Sequence, residues 1–204
     1  MSDALKSLDQ IHDRIWQMLT TAASTRHHGF HLPTMATVNE KQEPAARIVV
    51  LRGAQRDGRY ITCHTDARSP KIAQINANAL ATWVFYDAEA RVQVRAMGRI
   101  EVLDPADNAM AREAWQRTNL SSRRCYMAPH APSSVSAEPS PNLPEAVRER
   151  LPSEEESQAG LANFRVLKTT VDAFDYLHLA HDGHLRASFT YAQDGSLTSH
   201  WLEP

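Results

Sequence analysis

The chain has 204 residues, enough for one ordinary domain, and 42% hydrophobic with 23% charged residues excludes wholesale disorder. Its 22 Lys and Arg against 24 Asp and Glu leave a net charge of −2, with no global attraction to nucleic acid. No apolar run approaches the ~18–20 residues of a membrane span, and no signal-peptide pattern opens the chain. Cys63 and Cys125 lack CxxC spacing, so neither a zinc knuckle nor a disulfide scaffold is expected. The default expectation is a reducing, cytoplasmic setting with no membrane and no nucleic-acid partner.

From Asp3 to about Ala23, the apolar residues Leu5, Leu8, Ile11, Ile15, Met18 and Leu19 recur at steps of three and four. That spacing predicts an amphipathic helix, with Ser2 or Asp3 as its N-cap. Phe30–Val38 reads as extended, and Arg47–Arg52 as a β-branched run bracketed by two cations. Gly53–Gly58 then forms a hairpin connection to a returning strand over Arg59–Thr65. Ser69 is placed to cap a short helix over Pro70–Ala79, with Pro70 at its first position. Leu80–Tyr86 and Arg91–Leu103 read as strands joined by the turn Asp87–Ala90.

Pro105–Thr118 is helical by pattern. Six of the eleven prolines lie between Pro129 and Pro152, which predicts a long surface loop. The acidic cluster Glu154–Glu156 opens a short helix after Ser153. Four strands close the chain, Phe164–Thr170, Ala173–Leu179, His184–Tyr191 and Leu197–Leu202, with Asp-Gly turns at Asp182-Gly183 and Asp194-Gly195. Seven or eight strands joined mainly by hairpins predict a mainly β (α+β) fold. It takes the form of an antiparallel split β-barrel with an N-terminal helix and short peripheral helices. A single domain over residues 1–204, with a loop insertion at about 129–152, is expected.

None of the seven glycines spells GxGxxG or a Walker loop, so a bound phosphate would rest mainly on side chains. Arg47, Arg52, Arg68, Lys71, Arg91 and Arg95 fall within one fifty-residue block, interleaved with Thr65, Ser69 and Gln93. A phosphate monoester needs such cations together with hydroxyl or amide donors. The plainer reading is a solvated barrel rim whose cations pair with Asp57, Asp66 or Glu101.

Three segments resemble the flavin-binding core of the pyridoxamine 5'-phosphate oxidase-like split-barrel family, in order and spacing. They are Arg47-Ile48-Val49-Val50-Leu51-Arg52, His64-Thr65-Asp66-Ala67-Arg68-Ser69-Pro70-Lys71 and Val92-Gln93-Val94-Arg95-Ala96-Met97-Gly98. A weaker match ends at Trp201-Leu202-Glu203-Pro204. The resemblance implies a homodimer that binds two FMN molecules in clefts between subunits. Carried over, Arg47, Ser69 and Lys71 are phosphate ligands. Val49, His64 and Thr65 line the flavin, Gln93 hydrogen-bonds it, and Arg52 faces cofactor and substrate. Arg47, Val49 and Leu51 share one strand parity, which suits presentation to a cleft. A terminal phosphate monoester also implies FMN rather than FAD.

The departures point away from a true vitamin B6 oxidase. Arg52 replaces the family's substrate Lys, and Pro70 replaces an Arg, with Arg68 as a stand-in. The family's last-hairpin Arg-Leu-His-Asp-Arg reads His184-Leu185-Arg186-Ala187-Ser188 here. His184 and Arg186 are therefore the candidate substrate contacts, and His178 falls near the family's flavin-stacking Trp. No catalytic residue is assigned. His178, His181 and His184 recur every three residues, but a strand and an Asp-Gly turn would scatter them, so no metal is expected. The expected function is an FMN-dependent oxidoreductase acting on a small anionic or heteroaromatic substrate. The alternative is a flavin- or haem-handling binding protein on the same barrel without efficient turnover.

Overall fold

A computed structural model describes residues 7–204 of the chain. Helix α1 spans Leu8–Ser24 and opens on a capping box, in which Ser7 accepts from the Gln10 backbone and the Gln10 side chain accepts from Ser7. Ser2 and Asp3, the expected caps, lie outside the described residues, as does Leu5. Ile11, Ile15, Leu19 and Ala22 are fully buried along one face of α1, as the spacing requires. The helix is pinned to the barrel by a polar contact as well. The Tyr191 hydroxyl lies 2.6 Å from His12 Nε2 and accepts from Trp16 Nε1 at 3.0 Å. Burial holds His12 below its ordinary pKa.

Among the described residues, nine strands form one antiparallel sheet: β1 (Thr34–Val38), β2 (Pro44–Ile48), β3 (Gly53–Gln55), β4 (Tyr60–Asp66), β5 (Leu80–Asp87), β6 (Val92–Leu103), β7 (Phe164–His178), β8 (Leu185–Tyr191) and β9 (Leu197–Leu202). The order is β2-β1-β5-β6-β7-β4-β3, and β8 and β9 extend from β7. Residues 44–55 close the barrel. Their first half pairs with β1, Val49 and Leu51 donate to the carbonyls of Pro33 and His31, and Arg52 donates to Thr62 before β3 joins β4. The fold is thus the split barrel expected from the sequence.

Two strand assignments change for reasons visible in the ladder. The run Arg47–Arg52 spans the corner between β2 and β3, so it crosses from one partner strand to another. Phe164–Thr170 and Ala173–Leu179 are not separate strands but parts of the continuous β7. Its first half pairs with β4 and its second with β8, and a bulge at Asp172 marks the changeover. Helix α2 (Pro70–Ala77) begins after Ser69 as expected, but the Ser69 side chain makes no capping bond.

The main core fills the barrel with Trp83, Phe85, Phe174 and Phe189 against α1. A second, smaller cluster joins Ala111 and Trp115 of α3 (Ala109–Arg117) to Phe164 and Val166 of β7. Helix α4 (Leu120–Tyr126), absent from the sequence reading, follows α3 and is anchored by Arg123. The Arg123 guanidinium donates to the Trp115 and Gln116 carbonyls, to Ser157 and to Glu154. Residues 129–152 form the expected long loop, broken by one helical turn at Glu145–Val147. Helix α5 (Glu154–Ser157) carries a second capping box at Ser153 and Glu156. Among the described residues no helix is long and apolar enough to cross a membrane.

Gly98 sits where β6 meets the β7 bulge. A Cβ there would lie 2.0 Å from the Thr170 carbonyl oxygen, a backbone atom with no rotamer to change. Gly98→Ala should therefore destabilise the protein by on the order of 1–3 kcal/mol or more. A urea titration checks this: the midpoint falls, whereas an unchanged midpoint would mean the ladder yields freely at the bulge.

Candidate functional site

Arg47 lies opposite Met35 in the β1–β2 register and turns to the same side as that fully buried methionine. Its guanidinium donates to the Met35 carbonyl at 3.2 Å, to Thr37 Oγ1 at 2.7 Å and to Gln74 Oε1 at 2.7 Å. Thr37 in turn donates to the same Gln74 oxygen at 2.7 Å. Three elements, β1, β2 and α2, thus fix one cation. Gln74 stands three residues after Lys71, on the same face of α2. Lys71 Nζ donates to Ser69 Oγ at 2.6 Å and to Thr65 Oγ1 at 3.0 Å. Each hydroxyl that accepts from the ammonium keeps its own proton to offer an anion. Ser69 Oγ is thus engaged by Lys71 rather than by the α2 backbone.

Among the described residues, neither Arg47 nor Lys71 has a carboxylate within ion-pair distance; their partners are neutral. Burial, followed by the positive charge of Arg47, holds Lys71 below its ordinary pKa, and burial does the same to Arg47. Two half-buried cations repel each other here without an internal counter-ion. Arg52 shares the field, since Lys71, Arg52 and Arg47 all act on the Cys63 thiol. Burial outweighs them and pushes that thiol up to about 12, which leaves Cys63 an inert core residue. The rim reading fails for this pair but holds for neighbours. Arg68 is tied to both oxygens of Asp66 at 3.0 and 2.7 Å and donates to the Ala128 carbonyl, so it does not replace the missing arginine. Glu101 pairs with Lys168 rather than with the cradle.

The strand β4 divides the remaining candidates by parity. Thr65 and Cys63 face the barrel interior and the cradle, while Thr62 and His64 face outward. On that outer side, Arg52 and His64 line a groove of about 560 Å³ between β3–β4 and helices α3 and α4. The His64 ring packs edge-on against Phe164 at 4.8 Å. Burial and the nearby Arg52 lower its pKa to about 4, so it is neutral at physiological pH. Val49 packs against the main core beside the fully buried Leu51, so the shared parity of Arg47, Val49 and Leu51 holds in the fold.

Gln93 and Arg186 lie elsewhere. They fall on one row across the outer sheet face, Tyr86–Gln93–Leu177–Arg186–Leu202. Arg186 NH2 donates to Asp175 at 2.9 Å, and Arg95 donates to the same carboxylate oxygen at 2.8 Å. His184 is exposed in the turn before β8, and His178 ends β7. Thr37 and Gln74 were missed by sequence reasoning. Gln74 is legible only as a neighbour of Lys71 on a helix, and its bond to Arg47 requires the tertiary fold.

The model of the pyridoxamine 5'-phosphate oxidase FMN-binding domain matches residues 13–104, which contain the whole cradle. Pyridoxine/pyridoxamine 5'-phosphate oxidase 2 of Arabidopsis thaliana is 30% identical over 131 residues, 61% of this chain and 66% of that protein. Residues 13–104 thus form an FMN-binding domain of the pyridoxamine 5'-phosphate oxidase type. The pyridoxine/pyridoxamine 5'-phosphate oxidase of Coxiella burnetii is 35% identical over 47% of this chain and 50% of its own length. The matches thus span about half to two thirds of these curated relatives. Among solved structures, a pyridoxamine 5'-phosphate oxidase-related, FMN binding protein of Nostoc punctiforme superposes with a TM-score of 0.73. It is 21% identical, and the match covers 98% of this chain and 100% of that one. PhzG of Burkholderia lata, solved in complex with tetrahydrophenazine-1-carboxylic acid, gives 0.67 at 16% identity over 99% and 95%.

The cofactor of this family domain is FMN. The cradle fits its phosphate: two cations without an internal counter-ion, two hydroxyls with free protons, and the N-terminus of α2 beside them. Lys71→Ala should weaken FMN binding about ten- to a hundredfold, the worth of one charge-assisted hydrogen bond. Gln74→Leu should weaken it less, by freeing Arg47 to rotate. Flavin-fluorescence titration with circular dichroism checks both; parental affinity in a folded Lys71→Ala protein would place the phosphate elsewhere.

Proposed function

We propose that the protein is an FMN-dependent oxidoreductase acting on a small anionic or heteroaromatic substrate, and a poor pyridoxamine 5'-phosphate oxidase. The observation that carries this reading is the pairing of a phosphate cradle with a separate groove that holds Arg52, a cation whose side chain has no partner among the described residues. FMN, when bound, supplies the electron chemistry, and the protein supplies position, electrostatics and exclusion of water. Arg47 and Lys71 hold the phosphate, Ser69 and Thr65 donate to it, and Arg52 orients an anion in the groove. The last-hairpin residues favour a departure from the vitamin B6 oxidases. His184 is exposed, and Arg186 is engaged by Asp175 rather than free to grip a second phosphate.

The proposal includes a homodimer, with residues 1–204 acting as one FMN-binding domain. The expected cofactor and substrate contacts fall on separate faces of one chain: the cradle, the groove side with Arg52 and His64, and the outer row with Gln93 and Arg186. A cleft between two copies related by a two-fold axis unites them, which is how isologous contacts build shared sites. The outer face also exposes Ile48 (68%), Tyr86 (48%) and Leu202 (38%), large apolar groups suited to burial against a second copy. The free Cys63 and Cys125 are in keeping with a reducing, cytoplasmic setting.

The FMN-loaded protein should sediment as a dimer with two flavins and accept electrons from NADH or NADPH. With pyridoxine or pyridoxamine 5'-phosphate, its kcat/KM should fall below about 10⁴ M⁻¹s⁻¹, the lower end of efficient enzymes. Sedimentation and steady-state assays check this together. A flavin-loaded monomer would contradict the shared cleft. A flavin that neither nicotinamide reduces would favour a binding protein, and efficient B6 oxidation would overturn the substrate reading.

A further inference from the structure

Met110, Glu113, Ala114 and Arg117 recur at helical steps of three and four, so one face of α3 forms a wall of the groove. Facing them across the groove are Arg52 and His64, with Ala54, Tyr60 and Val166 adding further surface. The charges of this space can be counted. The Arg52 side chain has no partner among the described residues; only its backbone N–H is engaged, by Thr62. Arg117 lies 3.3 Å from the Glu113 carboxylate, so that pair adds no net charge. His64 is neutral, because burial and Arg52 keep its pKa near 4. The polar groups at the α3–α4 corner, Thr118, Asn119 and Ser122, are neutral and add no charge. Thr118 donates to the Ala114 carbonyl, and the Asn119 oxygen accepts from the Ser122 backbone and the Ser121 hydroxyl.

One positive charge therefore remains, on a planar fork of donors. A phosphate monoester brings nearly two negative charges and three acceptor oxygens at neutral pH. A guanidinium meets either anion bidentately, but a carboxylate brings one charge, which a single guanidinium balances, whereas the monoester keeps close to one charge unbalanced. The surrounding apolar surface of Ala54, Met110, Ala114 and Val166 suits a flat ring, and about 560 Å³ is ample for a bicyclic one. We infer that the groove takes a planar aromatic carboxylate, held by Arg52, in preference to a phosphate monoester. The inference rests on reading the groove as the substrate site and names the class of anion admitted there.

The test uses FMN-loaded protein, so that the cradle is filled, and three probes that share one ring: 1-naphthoate, 1-naphthyl phosphate and the neutral 1-naphthamide. Isothermal titration should rank naphthoate tightest, about tenfold or more over the amide, as expected for one charge-assisted contact. Arg52→Gln should erase the margin of naphthoate over the amide. Glu113→Gln, which frees Arg117 and lies away from the cradle, should shift preference toward the naphthyl phosphate. Naphthyl phosphate binding tighter than naphthoate in the parent would overturn the inference. So would an unchanged naphthoate margin in folded, FMN-retaining Arg52→Gln. If Arg52→Gln loses FMN, the Glu113→Gln shift decides instead, and its absence overturns the inference. Because binding is read directly, naphthoate selectivity without nicotinamide-driven reduction would leave this inference standing and remove the oxidoreductase reading.

Discussion

Arg47 and Lys71 are held half-buried at one end of the barrel, each desolvated and each repelling the other, with only neutral oxygens for company. Such a pair is costly in an isolated chain. Desolvation penalises both charges; among the described residues no carboxylate lies within ion-pair distance, and Asp66 offsets only part of the cost at Lys71. The arrangement persists because the barrel over-determines it. Arg47 is clamped by Met35, Thr37 and Gln74, and Lys71 by Ser69 and Thr65. A phosphate dianion would supply the missing counter-charge, and the repulsion between the two cations would then become affinity for the ligand. This is pre-organisation in electrostatic form: the donors are already aimed, and little reorganisation accompanies binding.

The closing segment 44–55 gives this cradle its relation to the rest of the site. It starts on β1 and ends on β4, so one short stretch puts Arg47 toward the interior and Arg52 on the groove side. β4 then acts as a partition, with Thr65 on the cradle side and His64 on the groove side. A one-residue slip in either strand would exchange these faces, which makes the register a functional constraint as well as a structural one. The bulge at Asp172, opposite Gly98, serves the same geometry. It lets β7 leave β4 and recruit β8, carrying Arg186 and Asp175 onto the outer face alongside Gln93.

Much of this was legible in the residues. The period of α1, the alternation in β5 and β6, the proline-dense loop and the Asp-Gly turns each follow from local chemistry. Other features were not, because they depend on partners distant in sequence. β7 reads as two strands since nothing local marks the change of neighbour at Asp172. α4 is a short polar helix whose support comes from Arg123 reaching back to Trp115 and forward to Glu154. Ser69 carries the signature of a cap but is diverted to Lys71. Arg68 resembles a phosphate ligand but is neutralised by Asp66 two residues before it. Sequence spacing groups candidates; only the fold decides which cations remain without an acid.

The claim that the cradle exists for a phosphate is tested most directly by comparing FMN with riboflavin, which differ in that group alone. Equilibrium titrations at low and high salt should give FMN an advantage of about a hundredfold or more. That margin corresponds to two charge-assisted contacts of ~1.5 kcal/mol each, and it should shrink as salt rises. Riboflavin binding within a few-fold of FMN at low salt would mean that Arg47 and Lys71 answer to some other anion.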